Sequence, residues 1–271
     1  MRLGSSSGLT YKLAATLELI RPHSTFLASL AIAVPIFSRS HDLALSLQLA
    51  VPLLLASMCT FIINDLDDAE KDKTNHPERP LPSHRVSPSF VATIYYTCLA
   101  AAMVTIRLCV TSSDVALLYY FGLVMAINYR YVVSYLPLLK SLYVACASTL
   151  PVWIVKAYYP ADGRLTGVAV ALLLFVLGRE MCMDVRDRRG DAVTIMHDVN
   201  ANNVVKAAFA CQLAGLVVIS LQLTNLVGFL LLFVMAALVI FAIYAWFLQR
   251  RRILATALMK VVMYIGLYFM L

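Results

Sequence analysis

Charged residues are scarce in this chain. They make up 14% of its 271 residues, whereas hydrophobic residues make up 61% and the mean hydropathy is +0.81. A typical soluble domain is about half apolar and roughly a quarter charged. The composition therefore excludes an ordinary soluble domain, and it also excludes a disordered chain, a collagen and a disulfide-rich scaffold. A polytopic membrane protein is the class that remains.

Several common signatures of chemistry are also missing. There is no Gly-rich phosphate loop, no conspicuous Ser/His/Asp arrangement and no Cys-x-x-Cys pair. The net charge of +7 is spread over loops, which argues against nucleic-acid binding. The N-terminal stretch is rich in Gly and Ser without an apolar core, so no cleavable signal peptide is expected. We expect neither a disulfide nor a zinc site from the six cysteines, which are Cys59, Cys98, Cys109, Cys146, Cys182 and Cys211.

Long apolar runs fill most of the chain. A membrane-spanning helix needs about 20 mostly apolar residues. On that criterion we predict an all-α bundle of nine transmembrane helices, with the short first, fourth and sixth runs taking in flanking residues. The runs are Thr25–Phe37 with an amphipathic lead-in from Leu13, Leu43–Ile63, Phe90–Val110, Val115–Ile127, Leu142–Ala157, Leu165–Leu177, Val204–Leu221, Leu226–Phe247 and Ile253–Leu271.

The basic residues indicate how the predicted helices are oriented. If the N-terminus and the loops 2–3, 4–5, 6–7 and 8–9 share one side, that side holds seventeen of the 22 Lys and Arg residues. Loops rich in Lys and Arg stay in the cytoplasm. We therefore expect a multi-pass integral membrane protein with a cytoplasmic N-terminus and a cytoplasmic active site, in the endoplasmic reticulum of a eukaryote or otherwise in the plasma membrane.

The acidic residues are concentrated in two segments on that same side. Eleven of the 15 carboxylates follow the second and sixth runs. Asp65, Asp68 and Asp72 are spaced three and then four residues apart, and a second triplet repeats this spacing 119 residues later. On a helix such positions share one face, so each segment should present a carboxylate stripe at a helix end. The second triplet is Asp184, Asp187 and Asp191, and Asn64 and Glu180 extend the two stripes by one turn.

The repeated spacing predicts a duplicated bundle within a single domain. Its two parallel halves would cover roughly residues 13–130 and 131–250, followed by a last helix. Like charges on one face repel one another, and a cation reverses that effect. Mg²⁺ prefers a few carboxylates together with water and substrate phosphates. Two stripes that face each other would therefore hold Mg²⁺ ions bridged by a diphosphate. In the alternative interpretation, the acids only form pairs with the interleaved bases Lys71, Lys73, Arg186, Arg188 and Arg189.

At these residues the sequence resembles the UbiA superfamily of intramembrane prenyltransferases, and in particular the branch that includes digeranylgeranylglyceryl phosphate synthase. Asn64-Asp65-x-x-Asp68-x-x-x-Asp72 is similar to the first signature of that family, and the stretch from Arg179 to Asp191 is similar to the second. Asn75 to Ser83 resembles the segment that usually follows the first signature, and Arg21-Pro22 resembles the N-terminal element. One departure concerns the Tyr-Ser-x-x-Leu-Lys element, where Ser134 stands in place of the lysine and Arg130 or Lys140 could supply the charge.

The resemblance implies an isoprenoid diphosphate donor and Mg²⁺. It implies metal ligands at Asp65, Asp68, Asp72, Glu180, Asp184, Asp187 and Asp191, with Asp68, Asp187 and Tyr129 as catalytic residues. Diphosphate contacts are expected from Asn64, Lys73, Arg79, Arg130, Lys140 and Arg179. The carbocation would be stabilised by aromatic faces, for which the further candidates are Phe61, Tyr95, Tyr96, Tyr119, Tyr120 and Tyr131.

Three functions remain open. The preferred hypothesis is prenyl transfer to a lipophilic acceptor. The second is terpene cyclisation, since a cyclase needs no acceptor pocket and some UbiA-type proteins turn the same cation inward. The third is a transporter that uses its acidic residues, but a relay would place charges across the midplane rather than at helix ends on one side. The expected partners are a prenyl diphosphate, a lipophilic acceptor and the lipid bilayer, without nucleic acid.

Overall fold

The computed structural model describes residues 5–135, 139–187, 200–223 and 225–271. Over these residues the protein is all-helical, as the composition predicts. A single 3₁₀ turn, Tyr268–Met270, follows the last α-helix. The α-helices, in chain order, are α1 Ser5–Ile20, α2 Pro22–Ser40, α3 Leu43–Asp67, α4 Ala69–Asn75, α5 Pro88–Cys109, α6 Ser113–Tyr135, α7 Lys140–Ser148, α8 Leu150–Tyr158, α9 Arg164–Asp187, α10 Ala201–Ser220, α11 Leu226–Phe247 and α12 Arg252–Leu267.

Every apolar run of the sequence falls on one of these helices or on the α7–α8 pair, but several helices continue beyond their runs, by up to ten residues at the end of α9. Within the described part of the chain, six helices are long and apolar enough to cross a membrane, and the bent α1–α2 pair is a seventh candidate. The six are α3, α5, α9, α10, α11 and α12 with its 3₁₀ extension. Of the remaining runs, the fourth lies in α6, which has a shorter apolar stretch (Ser113–Tyr129), and the fifth is divided between α7 and α8, each nine residues long.

Three helices begin at breaks in the helical chain, and prolines account for two of these breaks. Arg21 adopts a left-handed conformation (φ 46°) between α1 and α2, where the chain bends by 41°. Pro22 follows, and a proline disfavours the α conformation of the residue before it. Pro151 lies in the first turn of α8, where a proline fits because no backbone donor is needed there. Asp68 separates α3 from α4, although the bonds from Asp68 N to Asn64 O and from Asp72 N to Asp68 O continue through the break.

The chain divides into two compact units, Met1–Tyr131 and Val132–Leu271. In the first unit, α3 packs against α1, α2 and α5. Its core beneath the first acidic segment joins α1, the end of α3, the loop after α4 and the start of α5. The buried residues there are Ala15, Leu19, Cys59, Ile62, Leu81, Val86, Val91 and Tyr95.

In the second unit, α9 is the central helix and contacts α7, α8, α10 and α12. Gly178 permits a close approach of α9 to α10, because a Cβ atom there would lie 2.4 Å from the carbonyl oxygen of Ala208 on α10. The core at the acidic end of α9 contains Cys182, Val185, Val204, Val205, Ala208, Phe209, Ala242, Ala245, Trp246, Ala255 and Met259. This packing fixes the end of α9, where the second carboxylate stripe begins.

Candidate active site

The first stripe lies where α3 gives way to α4. Asp65 is the buried third-last residue of α3, with 5% of its surface exposed, and Asp72 is buried in α4 with 4% exposed. Asp68 occupies the break between the two helices and is half-buried. The spacing predicts one uninterrupted helix for the three carboxylates, and this prediction is wrong. The break between α3 and α4 has a local cause, since Asp68 (φ −89°, ψ 3°) leaves the α region while its backbone hydrogen bonds persist.

Arg21 is the main partner of Asp65. Its Nη2 donates a hydrogen bond to Asp65 Oδ1, and its guanidinium lies 5.0 Å from the ring centroid of Phe61. The left-handed backbone at the start of α2 places this side chain, which comes from 44 residues upstream of Asp65. A buried carboxylate needs such a cation, because removing the charge from water is otherwise costly.

Arg79 joins the two buried carboxylates of the first stripe. Its Nη1 lies 2.6 Å from Asp72 Oδ2 and 3.5 Å from Asp65 Oδ1. The arginine reaches back because α4 ends at Asn75 and the Pro-containing loop reverses the chain, with Arg79 N donating to His76 O. Burial raises the pKa of Asp72 above its ordinary value, and the guanidinium of Arg79 acts in the opposite direction. Arg79, the predicted diphosphate contact, thus lies beside two carboxylates of the first stripe.

The two lysines of this segment lie differently. Lys71 Nζ is 3.4 Å from Asp68 Oδ1, so it belongs to the cluster. Lys73 forms an ion pair at 2.7 Å with Glu70, and both of these side chains are exposed. Asn64 is half-buried one turn before Asp68, at the position predicted for a metal or phosphate contact.

The second stripe lies at the end of α9, which terminates at Asp187. Asp184 is buried with 5% exposed, and both of its carboxylate oxygens are occupied. Lys140 Nζ lies 2.7 Å from Oδ1, and Ser141 Oγ lies 2.7 Å from Oδ2. Lys140 is the first residue of α7, so the start of that helix holds the first aspartate of the second triplet.

This pair repeats the arrangement of the first stripe. Asp65 and Asp184 are the first aspartates of their triplets, and each is held by a base 44 residues upstream. The offset of 119 residues between the triplets therefore also relates Arg21 to Lys140. The alternative interpretation, in which the acids pair only with bases inside the acidic segments, does not account for these two contacts. Arg21 and Lys140 lie outside both segments.

The other acids of the second stripe have neighbouring partners. Glu180 pairs with Arg179, and the carboxylate of Asp187 receives two bonds from Arg186, at 2.6 Å and 2.7 Å. Arg186 also reaches Thr256 Oγ1 on α12 at 3.3 Å. Arg179 Nε is buried and has no hydrogen-bond partner among the described residues, so this guanidinium retains an unused donor.

Several predicted residues lie outside the description. Asp191 is beyond the described end of α9, and the side chains of Arg130 and Ser134 are not described although both residues belong to α6. Tyr129 is half-buried in α6. Among the other aromatic candidates, Tyr96 and Tyr131 are 66% and 61% exposed. Tyr119 is buried, and its hydroxyl donates to the carbonyl of Leu49, which gives it a structural role between α6 and α3.

The donor chemistry fits Mg²⁺ bound together with a substrate. Within the described residues, no three Asp, Glu, His or Cys side chains converge closely enough to hold a metal ion by themselves. The expected ligands are thus not assembled as a protein-only cage. Mg²⁺ is usually bound through one or two carboxylates, with water and substrate phosphates completing its octahedron. Asp65 with Asp68 and Asp72, and Asp184 with Glu180 and Asp187, supply hard oxygen donors of this kind at each helix end.

Sequence reasoning missed two partners of the stripes. Arg21 was recognised only as part of an N-terminal element, and Ser141 was not singled out. The 119-residue offset could have identified Arg21 and Lys140 as equivalent positions. The sequence contains no comparable signal for Ser141, whose role depends on how α7 packs against α9.

Residues 23–265 match the sequence profile of the UbiA prenyltransferase family. The chain belongs to this family. A digeranylgeranylglyceryl phosphate synthase from Methanoculleus marisnigri is 26% identical over 208 residues, which cover 73% of this chain and 72% of the relative. Another, from Sulfolobus acidocaldarius, is 31% identical over a stretch that covers 52% of each chain, about half of that relative's length.

Solved structures show the same fold. A UbiA homologue from Aeropyrum pernix K1, 19% identical, superposes with a TM-score of 0.71 over 92% of this chain and 97% of the homologue. A UbiA homologue from Archaeoglobus fulgidus, solved with GPP and Mg²⁺, is 14% identical and has a TM-score of 0.67 over 94% and 98% of the two chains. The protein is therefore an integral membrane protein with the UbiA fold.

Proposed function

We propose that this UbiA-family protein is an Mg²⁺-dependent prenyltransferase that ionises an allylic prenyl diphosphate and transfers the prenyl group to a lipophilic acceptor. The observation that carries the proposal is the matched pair of ion-paired aspartates, Asp65 with Arg21 and Asp184 with Lys140. Each triplet thereby combines carboxylates for a divalent cation with bases for a phosphate. A transporter does not need this combination of carboxylates and bases at two helix ends.

The proposed roles follow from the contacts. When bound, Mg²⁺ neutralises the negative charge that develops on the leaving diphosphate. Asp65, Asp68 and Asp72, together with Glu180, Asp184, Asp187 and Asp191, would hold it. The phosphate oxygens would be contacted by Asn64, Lys73, Arg79, Arg130, Lys140 and Arg179. We add Arg21 to this set because it pairs with Asp65. A base that now neutralises an aspartate becomes available to phosphate once a divalent cation takes over that task.

The chemistry is a substitution at the allylic carbon. The C–O bond to the diphosphate breaks with its electron pair on the leaving group, and the acceptor forms a new bond to that carbon and loses a proton to solvent. The ring of Tyr129 would stabilise the developing cation. Apolar helices keep water from capturing the cation.

We place the N-terminus and both acidic segments on the cytoplasmic side of nine spans, in accordance with the distribution of Lys and Arg.

The donor and acceptor classes are supported by the relatives. The Archaeoglobus fulgidus homologue was solved with GPP and Mg²⁺, and several relatives are named digeranylgeranylglyceryl phosphate synthase. We therefore favour a prenyl transfer over cyclisation.

The test is product analysis with purified protein, Mg²⁺ and a panel of dimethylallyl, geranyl, farnesyl and geranylgeranyl diphosphates, with and without lipophilic acceptors. We expect diphosphate release that depends on an acceptor and yields the prenylated acceptor. Asp68→Ala and Asp187→Ala should abolish it, whereas Asp162→Ala, which removes an acid paired with Arg164 outside both stripes, should retain it. A cyclic hydrocarbon formed without acceptor would replace the proposal with a cyclase, and consumption of no diphosphate would overturn both.

A further inference from the structure

Three consecutive arginines lie where α11 connects to α12, and the last of them is the first residue of α12. α11 ends at Phe247 and α12 begins at Arg252, so only four residues, 248–251, separate two helices that are each long and apolar enough to span a membrane. A connection this short must lie at the surface of the bilayer. We call Arg250, Arg251 and Arg252 the arginine turn.

The arginine turn has no carboxylate partner among the described residues. All three residues are exposed, and among the described residues none of their guanidinium groups has an ion pair or a hydrogen bond. Residues 226–271, which include both flanking helices, contain no Asp or Glu. By contrast, six other arginines each pair with a carboxylate, namely Arg21, Arg79, Arg85, Arg164, Arg179 and Arg186.

The arginine turn is unfavourable for a second reason, which is the backbone conformation of Arg250. Arg250 has a left-handed backbone (φ 53°), a conformation that favours glycine at a helix end. The bond from Arg251 N to Ala245 O (2.8 Å) closes the end of α11 around it. Three adjacent like charges repel one another, and no carboxylate among the described residues neutralises them. An anion at the turn would relieve this repulsion.

The position of Arg252 identifies the environment of that anion. Its guanidinium carbon lies 5.7 Å from the ring centroid of Trp246, which is buried in the last turn of α11. Clustered Lys and Arg next to a spanning helix attract anionic lipid. Because the arginine turn joins the ends of two candidate spans, its guanidinium groups lie at headgroup depth.

We propose that the arginine turn binds the phosphodiester group of an anionic phospholipid of the surrounding bilayer. Arginine suits this group because its planar guanidinium donates two parallel hydrogen bonds to phosphate oxygens. The inference does not depend on the proposed prenyl transfer, since no residue of the two stripes takes part.

Native mass spectrometry of the full-length protein, purified in detergent and titrated with phosphatidylglycerol or phosphatidylcholine, tests the proposal. We expect retention of phosphatidylglycerol over phosphatidylcholine, weakened about fivefold for each arginine replaced by glutamine and on the order of a hundredfold for all three. The matched control replaces Arg107, Arg164 and Lys206 by glutamine, which removes the same net charge from exposed positions elsewhere. Equal loss in the control, or equal retention of the two lipids by the wild type, would overturn the proposal.

A second variant separates lipid binding from folding. Arg250→Gly relieves the left-handed backbone while it removes one charge. Without lipid it should melt at a higher temperature than the wild type, yet gain a smaller increase from phosphatidylglycerol. An unchanged lipid-induced increase contradicts the proposal, and so does an equal increase of the wild type with inorganic phosphate alone, which would indicate a free-anion site.

Discussion

At the scale of single residues, the stripes differ from an ordinary solvated acidic surface in their burial. Asp65, Asp72 and Asp184 are each at most 5% exposed. Removing one partner of a buried pair is far more damaging than removing the pair, because it leaves an uncompensated charge in a poorly solvated site. The bases at these positions therefore stabilise the fold before any substrate arrives, and their replacement has consequences that can be measured without catalysis.

Lys140→Met should destabilise the protein strongly. Asp184 would lose its only described cation, and we expect a loss on the order of 3 kcal/mol in the free energy of unfolding. Ser141→Ala removes a neutral donor to the same carboxylate and should cost about 1 kcal/mol. Thermal unfolding in detergent measures both. Addition of Mg²⁺ should recover part of the loss in Lys140→Met and little in Ser141→Ala, and an equal response of the two variants would argue against a cation at Asp184.

Arg79→Gln should move the acid limb of activity to higher pH. Burial already raises the pKa of Asp72, and the positive charge of Arg79 opposes that rise. Without the guanidinium the pKa rises further, so the carboxylate required for Mg²⁺ is protonated, and activity lost, at a higher pH as the pH falls. The pH profile of kcat/KM checks this, together with a decrease of about 100-fold at neutral pH.

Arg85→Gln is the matched control for that change. Arg85 lies in the same loop and carries the same charge, but it pairs with Glu18 on α1. We expect its acid limb to coincide with that of the wild type. A shift of similar size in both variants would mean that the loop's total charge, rather than the contact with Asp72, sets the profile.

At the scale of elements, the sequence predicted where helices lie better than where they break. The apolar runs located the helices, and α4 ends at Asn75, two residues before Pro77. The break at Asp68 was not predicted, because nothing in the residue types of 64–72 disfavours a continuous helix. The division of the fifth run at Thr149 was also missed, although Pro151 offers a reason for a new helix to begin there.

Gly178→Ala tests the packing of the helix that presents the second stripe. A Cβ atom at residue 178 would lie 2.4 Å from the carbonyl oxygen of Ala208, so α9 and α10 must separate locally. We expect a destabilisation of about 1–3 kcal/mol, more than the gain from alanine's helix propensity. Gly163→Ala is the control, since a Cβ there meets nothing within 4 Å. Comparable melting temperatures for the two variants would contradict the close approach of α9 and α10.

At the scale of the whole molecule, the sequence supplied the fold and the acids but not all of their partners. The hydropathy and the repeated triplets predicted an all-helical membrane protein of the UbiA type, and the family assignment and the described helices confirm this. The contacts of Arg21 with Asp65 and of Lys140 with Asp184 each join residues 44 positions apart. Which base reaches which acid over that distance depends on how helices pack, and a local pattern contains no such information. The 119-residue offset is the exception, because it relates the two contacts as well as the two triplets.

The proposal that both triplets act on one substrate makes a prediction about combined variants. If Asp68 and Asp187 serve the same diphosphate, either Asn variant alone should decrease kcat by a factor on the order of 10³, and the double variant should be scarcely worse. Residues that act as a unit give such non-additive losses, because the first substitution already disables the common step. Two independent sites would behave differently, since each single variant would retain about half of the wild-type rate and only the double variant would be inactive. Single-turnover release of diphosphate from a radiolabelled prenyl donor, measured for the wild type, both single variants and the double variant, distinguishes the two cases. Asp162→Asn serves as the control for loss of a carboxylate outside the triplets, and its rate should equal that of the wild type.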